Sequence, residues 1–264
     1  MPYLENPLPG PAGRAPAAFS HRGFSPAGYE NSMAAFRAAV DLGYGYLETD
    51  VRTSADGVLM VFHDETLDRV TDGRGPLAWC TARQLRKVRI GGVEPIPTLE
   101  ELLAEWPDVR LNVDVKDKAG AVLLAELIEK YAAHDRVLVT SFSDRRRLDV
   151  FRTLSRPAAS SGGVVSLTAL AALGRVGLSR ALGWAARMQA VQVPVRYGRY
   201  PVVTPGFVRR CHRAGLAVHV WTINERAEME RLLDLGVDGL MTDRADLLAE
   251  VMQGRGFWPQ RVRP

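Results

Sequence analysis

Histidines, carboxylates and basic side chains recur where short apolar segments of this 264-residue chain end. Glu48 and Asp50 alternate along one such segment, and Asp114 and Lys116 alternate along another, so each pair shares one face of a strand. Carboxylates gathered in one place repel one another unless a cation lies between them. An all-oxygen ligand set selects a hard cation such as Mg2+ or Ca2+ rather than Zn2+. These residues therefore predict a site for one divalent cation.

Two basic residues and two histidines extend this chemistry. Arg22 and Lys116 carry fixed positive charge, which suits a phosphate group better than a neutral substrate. His21 and His63 stand at two further segment ends, and the usual pKa of histidine allows one to act as general base and the other as general acid. Singly, each of these residues is more often structural than catalytic. Together they indicate metal-assisted cleavage of a phosphoester.

The segments that carry these residues alternate with helical patterns, which is typical of βαβ units. Nine strands are predicted, one more than an eight-stranded barrel needs. Between Arg52 and Val58 lie only five residues, including Asp56-Gly57, and a connection that short joins antiparallel strands. Without this hairpin strand, eight strands with crossovers remain, which predicts an α/β fold: a single (β/α)8 TIM barrel with an extra antiparallel hairpin strand after the second barrel strand. The predicted strands are 18–21, 46–51, 58–63, 111–116, 137–141, 158–161, 190–194, 217–222 and 239–242.

The hairpin brings a histidine to the active end of the barrel. Counting outward from a turn at 55–57 places His63 opposite Thr49 or Asp50, beside the carboxyl end of the second strand, where barrel active sites lie. The loop 195–200 follows a barrel strand and is expected at the same end. Helices are predicted at 32–42, 99–105, 119–132, 144–153, 205–214, 226–235 and 244–252, with two short pieces in 167–188 separated near Gly174 or Gly177.

The order of the motifs resembles the glycerophosphodiester phosphodiesterase family. The opening of the chain reads AFSHRGFSPAGYENSMAAFRAAVDLGYGYLETDVRTSADGVLMVFHDETLDRVTDGRG, with an HRG motif, a Glu-x-Asp strand, an Asp-Gly turn and an His-Asp pair in the family's order. The resemblance continues through IPTLEELL, LNVDVK, VLVTSF, VHVWTIN and GVDGLMTD and covers residues 17–250. The combination is specific, whereas any single motif is not.

This resemblance implies a role for each candidate residue. It implies hydrolysis of small-molecule glycerophosphodiesters to glycerol 3-phosphate and an alcohol, with attack by the glycerol 2-hydroxyl and a cyclic phosphate intermediate. A lysophospholipase D that acts on lysophospholipids is the alternative, and a non-catalytic barrel that acts as a binding protein is a second one. The residues implied are His21 and His63 as the acid–base pair, Glu48, Asp50 and Asp114 as metal ligands, Arg22 and Lys116 on the phosphate, and Trp221 in the substrate pocket.

Two positions depart from the family pattern. Asp114 stands where the family usually has Glu, and Tyr29 precedes Glu30-Asn31 where the family tends to have Pro. Asn31 is predicted to cap the next helix, and Glu30 is predicted to be structural. Away from the motifs, His134 is expected on the surface, and the arginines 145–147 are expected on a solvated helix face.

Composition limits the remaining possibilities. Hydrophobic residues make up 47% and charged residues 24%, which excludes a disordered chain, and two cysteines exclude a disulfide scaffold and favour a reducing compartment. The net charge is +4, with only four lysines among 34 basic residues, a bias that does not indicate a nucleic-acid partner. No secretory leader and no membrane span are predicted, so the expected location is cytoplasmic. The predicted organisation is an irregular segment at 1–16, a barrel at 17–252 and a tail at 253–264; the oligomeric state stays open.

Overall fold

The computed structural model describes residues 1–6, 8, 15–174 and 177–261. Parts of the predicted N-terminal segment (7 and 9–14), of the predicted helical stretch (175–176) and of the predicted tail (262–264) lie outside the described residues. Within the described residues the strands are β1 (Ala17–His21), β2 (Tyr46–Thr53), β3 (Leu59–Val61), β4 (Arg89–Ile90), β5 (Glu94–Pro95), β6 (Arg110–Val115), β7 (Val137–Thr140), β8 (Ala159–Ser160), β9 (Ala190–Pro194), β10 (Arg196–Tyr197), β11 (Tyr200–Pro201), β12 (Ala217–Trp221) and β13 (Gly239–Thr242). The α-helices are α1 (Met33–Leu42), α2 (Ala82–Leu85), α3 (Leu99–Glu105), α4 (Gly120–Lys130), α5 (Asp144–Val150), α6 (Val164–Leu173), α7 (Ser179–Ala185), α8 (Pro205–Arg213), α9 (Arg226–Asp234) and α10 (Ala245–Gly254).

Eight of these strands form a nearly closed parallel barrel. Their order is β8-β7-β6-β2-β1-β13-β12-β9, and a parallel bridge between Ser161 and Ala190 joins the two ends of that order. Helices follow the strands, because a parallel neighbour can be reached only through a crossover. The predicted (β/α)8 barrel is therefore confirmed.

The extra strand is β3, and it pairs antiparallel with β2 as predicted. Val51 lies opposite Val61 and Thr53 lies opposite Leu59. The next backbone bond in the ladder runs from the Phe62 N–H to the Asp50 carbonyl at 2.9 Å, so His63 comes alongside Thr49. The hairpin thus returns the chain to the barrel mouth, although β3 is shorter than the predicted strand at 58–63.

The connection after the hairpin, residues 62–98, contains structure that the sequence analysis did not predict. It holds α2 and the small hairpin β4–β5, and it closes over a separate apolar cluster in which Leu67, Leu77 and Ile90 are fully or almost fully buried. Each piece is only two to four residues long. Such pieces are too short to produce a periodic pattern, so their stability comes from this local cluster.

The barrel interior changes from apolar to polar along its axis. Near the amino ends of the strands, Tyr3 packs edge-on against Tyr46 at 5.7 Å, and Phe19 does the same at 5.2 Å. Above this floor, the Gln192 side-chain amide donates to Asn112 Oδ1 at 3.2 Å. The carboxylates described below follow at the carboxyl ends, so the polar groups gather at one mouth of the barrel.

Two side chains expected at the surface are buried. His134 is 3% exposed because it lies in the 3-10 turn Ala133–Asp135, where its Nε2 contacts Glu129 at 3.1 Å. Arg147 has no exposed surface, and its guanidinium donates to Ser160 Oγ at 2.8 Å and to the Ala186 carbonyl at 2.7 Å. The expected surface position was therefore wrong for His134 and for Arg147. Polar contacts offset the burial of both side chains, except at His134 Nδ1 and Arg147 Nε, which have no hydrogen-bond partner within the described residues.

Helix ends differ from the predicted bounds by a few residues. The stretch 167–188 does contain two helices, α6 and α7, and α6 ends with Gly174 as its C-cap. The last helix continues to Gly254, and beyond it Trp258 packs edge-on against Tyr44 at 4.7 Å. Among the described residues, no helix is long and apolar enough to span a membrane.

Candidate active site

Adjacent strand ends bring the predicted residues together at one mouth of the barrel. His21 on β1 is paired in register with Glu48 on β2, and Asp50 on β2 is paired with Asp114 on β6. Because β1, β2 and β6 are neighbours in the sheet, these side chains lie on three consecutive strand ends. The strand-end argument from the sequence therefore identifies residues that the fold places side by side.

Asp50 is the most heavily paired carboxylate of the group. Lys116 Nζ lies 2.8 Å from Asp50 Oδ1 and 2.6 Å from Asp114 Oδ2. Arg22 Nε lies 2.9 Å from Asp50 Oδ2. Burial alone would raise the pKa of Asp50, but the charges of Lys116, Arg22 and His63 outweigh it and lower that pKa. Asp50 is thus held as a buried carboxylate between two cations.

Glu48 and Asp114 are in the opposite electrostatic situation. Burial, with the nearby charge of Asp50, raises the pKa of Glu48 to about 7. Burial also raises the pKa of Asp114, although its contact with Lys116 opposes the shift. Asp114 Oδ1 is buried and has no hydrogen-bond partner within the described residues. This part of the site therefore carries more negative charge than its neighbours balance.

The donor set suits a hard divalent cation, although the side chains are not gathered around a metal position. Glu48, Asp50 and Asp114 are all buried and supply only oxygen. Among the described residues, no three His, Cys, Asp or Glu side chains are arranged to hold a metal ion. The Lys116 ammonium lies between Asp50 and Asp114. In charge and in ligand chemistry the residues fit a cation.

Each of the two histidines has an aspartate on its Nδ1 atom. His21 Nδ1 lies 2.6 Å from Asp243 Oδ1, and His63 Nδ1 lies 2.6 Å from Asp64 Oδ1. A carboxylate at Nδ1 fixes the orientation of the ring and leaves Nε2 to exchange a proton with a ligand. His21 Nε2 lies 3.8 Å from Glu48 Oε2, which directs that ring toward the carboxylates.

The neighbours of His21 raise its basicity. Burial opposes a charged imidazole, but the charge of Glu48 and the hydrogen bond with Asp243 outweigh burial and raise the pKa of His21. Asp243 also accepts a hydrogen bond from Asn224 Nδ2 at 2.9 Å. The sequence analysis did not select Asp243. It directly follows β13, so the same strand-end rule applied to the last strand would have found it.

A chain of ion pairs runs from His63 across the mouth. Asp64 accepts from Arg69 Nε at 2.5 Å, and Arg69 Nη2 donates to Glu30 Oε1 at 2.7 Å. Glu30 in turn accepts from Arg22 Nη1 at 2.9 Å. Burial would raise the pKa of Asp64, but the bonds from Arg69 and His63 lower it to about 2. Glu30 was expected to be only structural, yet it connects the two halves of the site.

The predicted helix cap at Asn31 is wrong. Ser32 is the N-cap, since its Oγ accepts from the Ala35 N–H at 3.1 Å. Asn31 adopts a φ of 57°, a left-handed conformation that asparagine tolerates better than most residues. Its side chain instead accepts from Thr49 Oγ1 at 2.9 Å and donates to Asp50 Oδ2 at 3.3 Å. Asn31 thus orients a site carboxylate.

Trp221 lies at the same mouth, at the end of β12. Its ring is 6.2 Å from that of Phe142, edge to face, and Lys116 Nζ lies 5.5 Å from the centre of the Phe142 ring. Two residues, Phe142 and Lys116, therefore lie between Trp221 and the carboxylates. Its predicted place in the substrate pocket stays a prediction.

A cleft of about 770 Å³ lies away from this mouth. Three residues that line it, Ala158, Gln189 and Leu216, immediately precede β8, β9 and β12, respectively. The cleft is therefore at the amino ends of the strands, the end that serves stability in barrels of this kind.

Known proteins resemble this chain both in sequence and in fold. A profile of the Glycerophosphoryl diester phosphodiesterase family matches residues 21–247. The chain is 43% identical over 244 residues to the probable glycerophosphodiester phosphodiesterase 2 of Mycobacterium tuberculosis, covering 91% of this chain and 92% of that protein. It is 31% identical over 251 residues to the glycerophosphodiester phosphodiesterase of Caldanaerobacter subterraneus subsp. tengcongensis, covering 90% and 98%.

Solved structures show the same barrel. The glycerophosphodiester phosphodiesterase of Agrobacterium tumefaciens superposes with a TM-score of 0.76 at 25% identity, covering 89% of this chain and 99% of that one. A phosphodiesterase of Oleispira antarctica, solved in complex with the product sn-glycerol-3-phosphate, also gives a TM-score of 0.76, at 23% identity over 90% of this chain and 97% of that one.

Proposed function

Since the chain belongs to the glycerophosphoryl diester phosphodiesterase family and is on that ground a phosphodiesterase, we propose that it hydrolyses glycerophosphodiesters to glycerol 3-phosphate and an alcohol. The product seen in the Oleispira enzyme supports the glycerol phosphate half of this substrate. The catalytic unit we propose is the barrel at 17–252. The non-catalytic alternative is set aside, because both relatives are named as enzymes and the chain matches nearly their full length.

The observation that carries the proposal is the pair of His–Asp contacts that flank the carboxylates. His21 with Asp243 and His63 with Asp64 each keep one ring nitrogen engaged at 2.6 Å. Two oriented imidazoles suit transfer of a phosphoryl group between two oxygens, in which one takes the proton of the attacking hydroxyl and the other protonates the departing alkoxide. By family resemblance, the attacking group is the glycerol 2-hydroxyl, and water then opens the cyclic phosphate.

The basic residues of the site have a separate task. Arg22 and Lys116 are positioned by Asp50, at 2.9 and 2.8 Å, so their charges are fixed before a substrate arrives. We assign them to the phosphate oxygens, whose negative charge grows as the diester is attacked. Trp221 is assigned to the substrate pocket, where its ring bounds the side of the mouth occupied by Phe142.

Glu48, Asp50 and Asp114 are the residues that would hold a divalent cation, Mg2+ or Ca2+. When bound, a cation at this place supplies charge that polarises the phosphoryl oxygen and lowers the pKa of a bound hydroxyl. The raised pKa of Glu48, caused by burial and by Asp50, and the unpartnered Asp114 Oδ1 both support this assignment. Asp114 has a shorter side chain than the glutamate of the family, and here it contacts Lys116 at 2.6 Å.

Glycerophosphocholine turnover by His63→Ala tests the proposal. We expect a folded variant that loses at least ~100-fold in turnover, the usual effect of removing a general acid or base. His212→Ala is the matched control, because His212 also contacts an aspartate, Asp238, at 2.7 Å, but on the outer surface. Near-normal turnover by a folded His63→Ala variant would remove His63 from the mechanism.

Metal dependence is tested on the unaltered protein. Turnover should stop when EDTA removes divalent ions, and it should return on addition of Mg2+ or Ca2+ in excess over the chelator. Full activity in EDTA would overturn the metal assignment of Glu48, Asp50 and Asp114 while leaving the phosphodiesterase activity in place.

A lysophospholipase D activity is the second candidate. Phe142 is 60% exposed and Val165 is 74% exposed beside the mouth, and such side chains could accept an acyl chain. Lysophosphatidylcholine and glycerophosphocholine, compared with one preparation, separate the two activities. A higher kcat/KM for the acylated diester would favour the second.

A further inference from the structure

The barrel mouth is divided into a polar half and an apolar half. The site described above is built on the ends of β1, β2, β6 and β13. Of the other four barrel strands, β12 ends at Trp221, and the loops after β7, β8 and β9 carry exposed apolar and aromatic side chains. None of these loop side chains supplies an acid, a base or a ligand to the proposed hydrolysis of glycerophosphodiesters. We call the following five residues the apolar rim: Phe142 at 60% exposure, Val164 at 53%, Val165 at 74%, Tyr197 at 79% and Tyr200 at 62%.

The apolar rim follows one arc of the barrel. Phe142 follows β7, and its carbonyl accepts from the Val164 N–H at 2.9 Å, which joins the loops after β7 and β8. The strand β9 comes next, through the bridge between Ser161 and Ala190, and it leads into the hairpin β10–β11 that carries Tyr197 and Tyr200. An arc of exposed apolar groups of this kind marks an interaction surface on a protein in water.

Helix α6 extends the apolar rim down the outside of the barrel. Residues 161–174 contain no charged side chain. Yet α6 is not a core helix, since Leu170 is its only fully buried residue while Leu173 remains 45% exposed. An ordinary surface helix keeps a charged face toward water. The exposed face of α6 lacks one.

Unpaired arginines stand among these apolar groups. Arg196 Nη2 donates to the Arg199 carbonyl at 2.8 Å, and Arg199 Nη2 donates to Tyr200 Oη at 3.0 Å. Arg145, in the first turn of α5, is exposed. Within the described residues none of these three arginines has a carboxylate partner, and the stretch 195–203 contains no acidic residue. The positive charge of this arc is therefore available to an anionic partner.

We propose that the apolar rim, together with Arg145, Arg196 and Arg199, is a docking surface for an anionic lipid membrane. Tyrosine is suited to the headgroup level, because its ring is apolar and its hydroxyl is polar. Valine side chains reach the acyl boundary, and arginines attract acidic headgroups. A second copy of this chain is a poorer occupant, since the same three arginines would face one another across the interface. The surface is defined without reference to the catalytic residues, so this inference does not rest on the proposed function.

Vesicle co-sedimentation of the purified full chain tests the proposal. Vesicles of 70% phosphatidylcholine and 30% phosphatidylglycerol should bind the protein. Vesicles of phosphatidylcholine alone should bind it about 100-fold more weakly, because each of the three surface arginines contributes roughly fivefold. The double variant R196Q/R199Q should lower the partition coefficient on the mixed vesicles by about 30-fold. R83Q/R180Q is its control, because both residues are exposed, lie outside this arc and remove the same charge.

The aromatic contribution has its own pair of variants. Y197S/Y200S should weaken binding to the mixed vesicles at least tenfold, whereas Trp184→Ser should not, although Trp184 is 85% exposed, because it lines the cleft at the opposite end of the barrel. Glycerophosphocholine turnover, measured in parallel, should be unchanged in these variants. No binding to mixed vesicles, equal losses in R83Q/R180Q, or a dimer in sedimentation velocity that Y197S/Y200S dissociates would each overturn the proposal.

Discussion

Glu48 and Asp50 lie two positions apart on β2 and share one face of the strand, yet their pKa values move in opposite directions. Both are buried, so burial raises both. The difference comes from Lys116 and Arg22, which lie within 2.9 Å of Asp50, whereas the ion-pair contact of Glu48 within the described residues is His21 at 3.8 Å. A cation added to the site would therefore act most strongly on Glu48.

Removal of the Glu48 charge tests this contrast. Glu48→Gln keeps the size of the side chain and relieves its repulsion with Asp50, so without divalent ions the melting temperature should hold or rise. The rise in melting temperature that Mg2+ or Ca2+ gives the unaltered protein should be largely lost. Thermal unfolding measured in EDTA alone, and again with a roughly tenfold excess of metal over EDTA, gives both effects. A variant that keeps the full metal-dependent rise would show that Glu48 is not a ligand.

His219 lies beneath the site, and burial lowers its pKa from 6.5 to about 4. Its Nδ1 contacts Gln192 Nε2 at 3.4 Å. The folded protein resists protonation of this ring, whereas the unfolded chain takes up a proton below pH 6.5. The stability that His219 contributes is therefore present above pH 6.5 and is lost as the pH falls toward about 4, by up to ~3 kcal/mol.

His219→Gln should remove that part of the pH dependence. Urea unfolding of the unaltered protein and the variant at pH 7 and at about pH 4.5 gives the change in unfolding free energy for each. We expect the variant to lose less stability over this interval, since carboxylates that titrate there affect both proteins equally. Parallel pH profiles would show that His219 is already solvated or charged in the folded protein.

At the site, the sequence predicts which residues meet but not how they are paired. Alternation places Glu48 with Asp50, and the hairpin count brings His63 beside β2; both depend on strand geometry alone. Glu30 and Arg69 were missed as partners, because their contacts depend on loop conformations such as the positive φ of Asn31. Spacing along a strand carries no information about such loops.

At the scale of the elements, Asp144 joins the loops after β7 and β8. Its carboxylate accepts from the Gly163 N–H at 3.1 Å and the Ser166 N–H at 3.0 Å, and it contacts the Ser166 hydroxyl. It also pairs with Arg147 Nη2 at 3.2 Å. The start of α6 is thereby attached to the first turn of α5, which fixes the part of the mouth that carries Phe142.

The arginines at 145–147 show where helical periodicity decides the outcome. Asp144 and Arg147 are three positions apart and so share a helix face, whereas Arg145 points away from that face. A run of three charges indicated a solvated surface, and this interpretation holds for exposed Arg145 but fails for Arg147. The connection between β2 and β3 was predicted correctly, because a link of five residues is too short for a crossover and permits only an antiparallel pair.

Arg147→Leu should therefore be strongly destabilising. The variant leaves Asp144 short of a partner, and it leaves Ser160 and the Ala186 carbonyl without their guanidinium donor. Breaking a buried ion pair in this way costs about 3–5 kcal/mol. Arg145→Leu, in the same helical turn but exposed, should change the unfolding free energy by no more than ~0.5 kcal/mol. Urea unfolding of both variants measures the difference, and equal effects would contradict the burial argument.

At the scale of the whole molecule, residues from both ends of the described chain close the end of the barrel opposite the site. Tyr3 is fully buried against Tyr46 and forms the floor of the barrel interior. Arg261 forms two bonds with Asp108, at 2.7 and 3.2 Å. Gln260 is 1% exposed and lies against Gly45, where a Cβ atom would come within 2.6 Å of the Gln260 carbonyl oxygen. The apolar cluster of the barrel interior, with Tyr3, Phe19 and Tyr46, therefore lies at the end opposite the polar mouth.

Gln260 supplies the hydrogen bonds that β1 lacks at its start. The pairing of β1 with β2 begins only at Phe19 and Tyr46. The Ala18 N–H instead donates to Gln260 Oε1 at 2.8 Å, and Gln260 Nε2 donates to the Pro16 carbonyl at 2.7 Å. Gln260→Ala would leave the Ala18 N–H unpaired, and it would leave the Pro16 carbonyl with only the longer bond from Asn6 Nδ2, at 3.4 Å.

We expect Gln260→Ala to lower the free energy of unfolding by about 1–3 kcal/mol, because one unsatisfied buried polar group, the Ala18 N–H, costs roughly that much. Gln253→Ala is the control, since Gln253 is exposed on α10, close in sequence. It should change the unfolding free energy by less than ~0.5 kcal/mol. Urea unfolding measures both, and hydrogen exchange at the Ala18 amide reports directly on the lost bond. A Gln260→Ala variant as stable as Gln253→Ala, with the Ala18 amide still protected, would mean that the barrel closes at this end without residues beyond α10.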